Sequence, residues 1–301
     1  MSWKLSAIAP REMVEAALEV REAMPDWDES VVLTGFETAP DTPEVWQLDA
    51  YLEVKPAARH LKAVSALFGD EAPDLVAEKL PDADWVTESQ KGAQPIRAGR
   101  FHVHTPEHKP LRQAGVVDFC IPAAQAFGTG QHATTAGCLA MLDAIRRLGM
   151  HPRNVADIGT GTGLLAFAAL ALWPRARATA SDIDPVCEPA VIGNAIENAI
   201  PIGTRRGELA MVVAAGMDDP VLRGRAPYDL LIANILAGPL IELAPDFANA
   251  VAPRGSVLLA GLLETQEARV RAAYRREGFH LQRRLVNGDW SILWLKKRAF
   301  A

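Results

Sequence analysis

A glycine-rich turn between an apolar strand and an apolar helix constrains the fold of this chain more than any other feature. Val155–Gly163 reads Val-Ala-Asp-Ile-Gly-Thr-Gly-Thr-Gly, and an Ala/Leu-rich run follows it. Glycine has no Cβ atom, so the backbone of such a turn can approach a ligand closely. Ligands of open α/β sheets collect at the carboxyl ends of the strands, which predicts that this turn lines a nucleotide-like cofactor.

Strand and helix patterns alternate from residue 116 to the end of the chain. Such alternation favours a mainly parallel sheet covered by helices on both faces. Asn287-Gly288 joins the last two predicted strands and is a strong hairpin signal, so the sheet gains an antiparallel edge. We predict an α/β fold with the Rossmann-like seven-stranded sheet of class I methyltransferases. The predicted strands are 116–121, 155–158, 177–183, 209–214, 228–233, 256–261, 279–286 and 291–297, and the predicted helices are 134–148, 163–173, 186–199, 217–223, 238–250 and 264–277.

The first 80 residues have a different organisation, strand-helix-strand-strand-helix-strand, which predicts a small ferredoxin-like α+β domain. Residues 81–115 are rich in Gly and Pro and are interpreted as a linker, with a strand over Ile96–His104. Residues 116–301 form the predicted catalytic domain. The predicted N-terminal strands are 4–8, 31–38, 46–54 and 75–80, and the helices are 11–23 and 57–68.

Charge is distributed unevenly along the 301 residues, whose net charge is −6. Residues 1–85 hold 18 acidic and 7 basic side chains, so this part is a poor candidate for binding nucleic acid. It could attract a basic protein, or its acidic surface could serve solubility alone. The longest apolar stretch, Leu164–Trp173, is too short to span a bilayer. The three cysteines lack metal-ligand spacing, so we expect no metal site and a cytoplasmic location.

The glycine spacing distinguishes between cofactors. Gly159, Gly161 and Gly163 follow the pattern G-x-G-x-G, whereas the dinucleotide fingerprint is G-x-G-x-x-G and position 164 is Leu. S-adenosylmethionine lacks a pyrophosphate and needs bare backbone, so it fits this turn better than NAD. An acidic residue about twenty positions further on should bind the ribose hydroxyls, and both Asp182 and Asp184 are there. We favour Asp182 because it comes first off the strand, and we interpret Asp184 as a helix cap before Pro185.

Two more polar residues stand at strand ends. Asp157 precedes the glycines and is expected to hold the loop amides or the ammonium group of the cofactor; a purely structural role is the alternative. Asn234 directly follows the predicted strand 228–233. The methyl group should lie at the end of this strand, although Asn234 could simply form a turn. Methyltransferases of planar nitrogens have Asn-Pro-Pro-Tyr here. Ile235 and Leu236 replace the prolines, which favours a flexible aliphatic amine as the acceptor.

A second Gly-Thr-Gly precedes the first by about thirty residues and is more specific. Phe127–Thr135, together with Asp157–Gly163, Asp182–Pro185 and Asn234–Ala237, resembles the bacterial ribosomal protein L11 methyltransferases, the PrmA type. The resemblance covers roughly residues 80–301. It departs from the family at Ile121–Gln125, where the family usually has an Asp-Pro-Gly run.

The resemblance implies an S-adenosylmethionine-dependent protein-lysine methyltransferase. Its N-terminal domain would bind ribosomal protein L11, free or before assembly. Its catalytic domain would methylate lysine ε-amines and, in some members, an α-amine. A monomer without nucleic-acid or membrane binding is expected. Asn234 is the expected catalytic residue, and Phe127 is expected to close the pocket. The expected cofactor contacts are Phe127, Gly128, Thr129, Gly130, Thr135, Asp157, Gly159, Gly161, Asp182 and Asn234.

The expected reaction is an in-line displacement in which a neutral lysine amine attacks the sulfonium methyl group. Positioning would supply most of the acceleration, up to about 7–11 kcal/mol. Two alternatives remain: a lysine methyltransferase of another protein, such as the electron-transfer flavoprotein β subunit, and a non-catalytic cofactor-binding docking protein. The extra 80 residues favour the ribosomal substrate over the first, and the intact glycine loops and Asn234 oppose the second. An NAD oxidoreductase is a third alternative, and the spacing of Gly159, Gly161 and Gly163 opposes it.

Overall fold

The chain divides into two compact units, residues 1–85 and residues 86–301. The computed structural model describes residues 3–22, 24, 27–28, 31–38, 44–52, 54–69, 72–79, 95–122 and 133–299. No helix in these ranges is long and apolar enough to cross a membrane.

The first unit is a four-stranded antiparallel sheet with two helices, in the order β2-β3-β1-β4. This is the ferredoxin-like βαββαβ arrangement that the sequence predicts. Alternate residues of β1, such as Leu5 and Ala7, are buried with Val14 and Val64 of the helices. The elements are β1 (Trp3–Pro10), α1 (Arg11–Glu22), β2 (Val32–Glu37), β3 (Val45–Leu52), α2 (Ala58–Ala66) and β4 (Val76–Lys79).

The second unit contains a three-stranded and a seven-stranded sheet. Its first elements are β5 (Ile96–Ala98), β6 (Phe101–His104), β7 (Val117–Cys120), α3 (Ala133–Arg147), β8 (Asn154–Ile158), α4 (Leu164–Leu172), β9 (Arg177–Asp182), α5 (Cys187–Glu197) and β10 (Leu209–Val213). They are followed by α6 (Pro220–Arg225), β11 (Tyr228–Asn234), α7 (Ala237–Glu242), α8 (Ala244–Ala250), β12 (Val251–Leu263), a 3-10 turn (Glu264–Gln266), α9 (Glu267–Arg276), β13 (Phe279–Asn287) and β14 (Trp290–Lys297).

The large sheet has the order β10-β9-β8-β11-β12-β14-β13. The first five strands are parallel, and β14 lies antiparallel between β12 and β13. Both faces of β11 are buried: Leu230 and Ile232 belong to one apolar core, Leu231 and Ala233 to the other. This is the class I methyltransferase sheet, so the predicted fold class is confirmed.

The segment that we interpreted as a linker contains ordered structure that belongs to the second unit. β5 and β6 form an antiparallel pair, and β6 pairs in parallel with β7. Ala98, Phe101 and Val103 are buried in the main core. The Gly and Pro residues that suggested a linker instead surround strands of three and four residues, and Gly99 turns the chain between two of them.

The helix predicted over 238–250 is two helices, α7 and α8, that meet at Leu243. Pro245 lies at the start of α8 and has no backbone N–H, so a continuous helix would lack one hydrogen bond there. A proline in the first turn of a helix is well tolerated, which is why the chain restarts a helix at this point.

Candidate active site

The glycine turn Gly159–Gly163 follows β8 at the carboxyl edge of the large sheet, between the ends of β9 and β11. In the parallel register, Ile158 lies opposite Ser181 on one side and Ala233 on the other. The amides of Gly159 and Thr160 both donate to the carbonyl oxygen of Ser181, at 2.8 and 2.9 Å. The turn is therefore attached to the neighbouring strand before it enters α4.

Gly159 occupies a position that no larger residue fits. Its φ is +72°, in the left-handed region, and a Cβ built on it would lie 2.2 Å from Cγ2 of Ile235. Ile235 is confined from its other side as well, because a Cβ on Gly261 would lie 2.3 Å from the Ile235 carbonyl oxygen. Gly159 after β8 and Gly261 within β12 thus pack closely against Ile235, the residue that follows β11.

Asp157, near the end of β8, is buried, and only one of its two carboxylate oxygens has hydrogen-bond partners among the described residues. Its Oδ2 accepts hydrogen bonds from Oγ1 of Thr160 at 2.7 Å and from the amide of Ala166 at 3.0 Å. Its Oδ1 is buried and has no hydrogen-bond partner among the described residues. The pKa of this carboxyl is raised to about 7, mainly by burial; the two hydrogen bonds oppose the rise, and the charge of Asp182 adds to it.

Asp182, at the end of β9, receives two backbone hydrogen bonds. Oδ2 accepts from the amide of Gly161 at 2.8 Å, and Oδ1 accepts from the amide of Asp184 at 3.1 Å. The half-buried carboxylate therefore fixes the glycine turn and its own loop together. Asp184 is exposed and accepts from the amide of Val186, just before α5, in line with a local helix-starting role.

Asn234 ends β11 and lies beside the start of α3. Its Nδ2 donates to Oγ1 of Thr135 at 3.2 Å, across 99 positions of sequence. Thr135 is buried in the first turn of α3, while Asn234 is half-buried. The structure thus brings together two of the predicted cofactor contacts. Leu236, two residues further on, is 60% exposed.

The first glycine loop lies outside the described residues. This applies to Phe127, Gly128, Thr129 and Gly130 and to most of the segment that departs from the family pattern. The structure describes both flanks of the loop. Ile121 is buried, with its amide bonded to the His104 carbonyl oxygen at 2.9 Å, and the carbonyl oxygen of Ala133 accepts from Nδ2 of Asn287.

Two asparagines of α5 were missed by reasoning from the sequence. Nδ2 of Asn194 donates to the carbonyl oxygen of Thr162 in the glycine turn at 3.0 Å. Asn198 bonds both the amide and the carbonyl oxygen of Cys120, at 2.8 and 2.7 Å. Their spacing of four residues on one helix face was the available signal, since such residues point in the same direction.

The described residues fit the S-adenosylmethionine that the glycine spacing indicates. The unpartnered Oδ1 of Asp157 offers an acceptor for an ammonium group. The backbone of the glycine turn carries no Cβ atom at Gly159, Gly161 and Gly163, so a ligand can approach it closely. Asp182 retains acceptor capacity for hydroxyls, because a carboxylate has about four lone-pair positions and two are used. Asn234 offers the oxygen of its side-chain amide at the carboxyl end of β11, on the same edge of the sheet as Asp157 and Asp182.

The chain is similar in sequence to proteins of one family. A family model described as "Ribosomal protein L11 methyltransferase (PrmA)" matches residues 14–298. A protein of Agrobacterium fabrum named ribosomal protein L11 methyltransferase is 37% identical over 283 residues, covering 93% of this chain and 94% of the relative. One of Brucella suis with the same name is 38% identical over 253 residues, covering 84% of this chain and 85% of the relative.

A solved structure of similar fold comes from Lactobacillus delbrueckii subsp. bulgaricus, where the protein is described as a ribosomal protein L11 methylase. It has a TM-score of 0.58 and 26% sequence identity, and the match covers 68% of this chain and 98% of the other. Because the family model spans most of the chain, and relatives match it over nearly their full length, the chain belongs to the ribosomal protein L11 methyltransferase (PrmA) family: it is a methyltransferase whose methyl donor is S-adenosylmethionine.

Proposed function

We propose that this enzyme methylates lysine ε-amines, and an α-amine where one is presented, of ribosomal protein L11. The residues that follow β11 support an aliphatic amine, rather than a planar base, as the methyl acceptor. Asn234 is followed by Ile235 and by the exposed Leu236, with no aromatic side chain that could stack on a planar base. The names of the relatives supply the protein substrate.

The residues at the strand ends divide the work of binding and positioning. When bound, S-adenosylmethionine supplies a methyl group activated by its sulfonium centre. Asp182 would bind the ribose hydroxyls, Asp157 the ammonium group, and Gly159 and Gly161 would line the path between them. Asn234 would orient the acceptor amine through its amide oxygen, while its Nδ2 is bonded to Thr135. Ile235 and Leu236 would favour the uncharged amine, because an apolar site lowers the pKa of a lysine.

The first unit would recognise the protein substrate. Its acidic excess suits a partner with basic side chains and disfavours nucleic acid. We propose that the enzyme acts in the cytoplasm as a monomer, on L11 that is free or not yet assembled.

A labelling experiment tests the function. Ribosomal proteins from a strain that lacks its own enzyme, incubated with this chain and labelled S-adenosylmethionine, are expected to carry label on lysines of L11. Asn234→Ala should lower the rate about tenfold, since the loss of one hydrogen bond costs about 1–1.5 kcal/mol. Mass spectrometry of modified peptides identifies the sites. In a parallel reaction with the electron-transfer flavoprotein, label on its β subunit but none on L11 would indicate the other lysine methyltransferase. No label on any protein would indicate a docking protein.

The affinity for the cofactor product is expected to rise with pH. With a pKa of about 7, Asp157 is mostly a neutral acid at pH 5.5, and a cation placed at Oδ1 must first displace its proton. At pH 7.5 most of the carboxyl is already ionised, and an α-ammonium group is still mostly charged. Linkage then predicts that S-adenosylhomocysteine binds about tenfold more tightly at pH 7.5 than at pH 5.5. Isothermal calorimetry at the two pH values measures this change.

Two variants show whether Asp157, rather than another acidic residue nearby, causes the pH dependence of binding. Asp157→Asn should bind more weakly and with little dependence on pH, because the amide does not titrate. Asp184→Asn removes an exposed carboxylate that bonds its own loop, and it should retain the pH dependence of the wild type. An unchanged pH profile in Asp157→Asn would remove the assignment of the ammonium group to this residue.

A further inference from the structure

A second polar cluster lies on the three-stranded sheet, separate from the residues assigned to the cofactor. His102 and His104 are two residues apart on β6 and share one face of the strand. Asp118 of β7 lies directly opposite His102 in the parallel register. The intervening residues of β6, Phe101 and Val103, point the other way into the main core. The sheet therefore presents two imidazoles and one carboxylate on the face opposite to its apolar side.

The three side chains converge on one point. Nδ1 of His102 lies 2.5 Å from Oδ1 of Asp118, and Nε2 of His104 lies 3.0 Å from Oδ2. The amide of Leu111 donates to Oδ1 at 2.9 Å and fixes the carboxylate. One ligand atom from each of the three residues lies within 4.8 Å of the other two, and both histidines are more than 90% buried.

The hydrogen bonds of His104 fix which ring nitrogen faces Asp118. Its Nδ1 lies 2.7 Å from the carbonyl oxygen of Thr105, which can only accept, so Nδ1 carries the proton. Nε2 then faces Oδ2 of Asp118 at 3.0 Å and is the ring atom that could bind an ion. Two buried imidazoles beside one carboxylate thus form a candidate cation site.

We propose that His102, His104 and Asp118 bind a divalent transition-metal ion, with Zn²⁺ the best match. Two histidines and one carboxylate form a known zinc ligand set with a fourth position open to water. Ligand atoms about 2.0–2.2 Å from zinc in a tetrahedron lie about 3.3 Å apart. Nε2 of His104 and Oδ2 are close to that separation at 3.0 Å, whereas Nδ1 of His102 and Oδ1, at 2.5 Å, must move apart to admit the ion. The bond from Nδ1 of His104 to a backbone carbonyl oxygen is the support that metal-binding histidines usually have.

The position of the cluster in the chain indicates what the ion would do. Asp118 lies four residues before Pro122, the last described residue ahead of the first glycine loop. Asn198 ties the end of β7 to α5, whose Asn194 holds the other glycine turn. A metal bound to β6 and β7 would therefore brace the strand that leads into the first loop. Its role would be structural, and no part of the methyl transfer would pass through it.

Zinc titration of the metal-free wild-type chain tests the proposal. After treatment with a chelator and its removal, calorimetry should show one Zn²⁺ bound per chain, and Zn²⁺ should raise the thermal unfolding midpoint. Asp118→Asn and His104→Gln should each lower the affinity at least tenfold. His151→Ala, which removes an exposed histidine outside the cluster, should bind like the wild type.

A second measurement needs no substitution and so remains valid if a variant fails to fold. Wild-type chain loaded with Co²⁺ should show the intense visible absorption of a tetrahedral ion, and Zn²⁺ should displace it. Absence of stoichiometric Zn²⁺ binding by the wild type would show that direct hydrogen bonds alone hold the three side chains together, and the proposal would be wrong. Equal affinity in Asp118→Asn would also overturn it, because the ion would then lie elsewhere.

Discussion

Gly159→Ala is expected to lose about 2–5 kcal/mol of folding stability and at least a hundredfold of its affinity for S-adenosylhomocysteine. A left-handed conformation costs a residue with a Cβ about 1–2 kcal/mol. The added Cβ would also meet Cγ2 of Ile235 at 2.2 Å, and overpacking of this kind costs about 1–3 kcal/mol. Relief of the clash must move either the turn or the end of β11, and both border the proposed cofactor site. Thermal unfolding and calorimetry measure the two losses.

Gly149→Ala is the matched control for this variant. Gly149 also has a left-handed φ, of +80°, but a Cβ there would meet no atom of the described chain within 4 Å. It should cost only the conformational strain, about 1–2 kcal/mol, and leave the affinity unchanged. Adding Ile235→Ala to Gly159→Ala should restore the packing part of the loss. If Gly149→Ala weakens binding equally, contact with Ile235 is not the cause.

The glycine turn and the position of Asp182 could be predicted from the sequence, because each depends on one short segment. The turn at Gly159–Gly163 follows its strand directly, and Asp182 ends the next strand at the spacing that a parallel sheet requires. The fold class followed in the same way from the alternation of strands and helices. The closing hairpin was marked by Asn287-Gly288, and its strands pair at Asn287 and Trp290.

The contacts between distant segments could not be predicted, because no spacing in a single sequence reports them. The bond of Asn234 to Thr135 depends on where β11 places its end relative to α3. The fit of Ile235 against Gly159 depends on the packing of adjacent loops. His102 and Asp118 are sixteen residues apart and meet only through the parallel register of two four-residue strands. The sequence predicts strands over 96–104 and 116–121, but it does not indicate that Phe101–His104 and Val117–Cys120 pair in parallel.

Asp182→Ala is expected to weaken the binding of S-adenosylhomocysteine by at least a hundredfold. The carboxylate has two structural partners, the amides of Gly161 and Asp184, and hydrogen bonds to a charged acceptor are each worth about 1.5–3 kcal/mol. Removal of the side chain therefore releases the glycine turn from β9 and also removes the proposed ribose acceptor. A hundredfold loss corresponds to about 2.7 kcal/mol, which the loss of one or two charge-assisted hydrogen bonds to the ribose can supply.

Comparison with two variants distinguishes ribose binding from support of the turn. Asp184→Ala removes one exposed hydrogen bond to Val186, two residues away, and should change the affinity by less than about threefold. Asp182→Asn retains an acceptor oxygen for one of the two amides but loses the charge, so its affinity should lie between those of the wild type and Asp182→Ala. Calorimetry gives the affinities, and thermal unfolding without ligand shows how much of each loss is folding stability. Wild-type affinity in Asp182→Ala would move the ribose site away from β9, because this substitution removes both the proposed ribose acceptor and the side chain that anchors the turn.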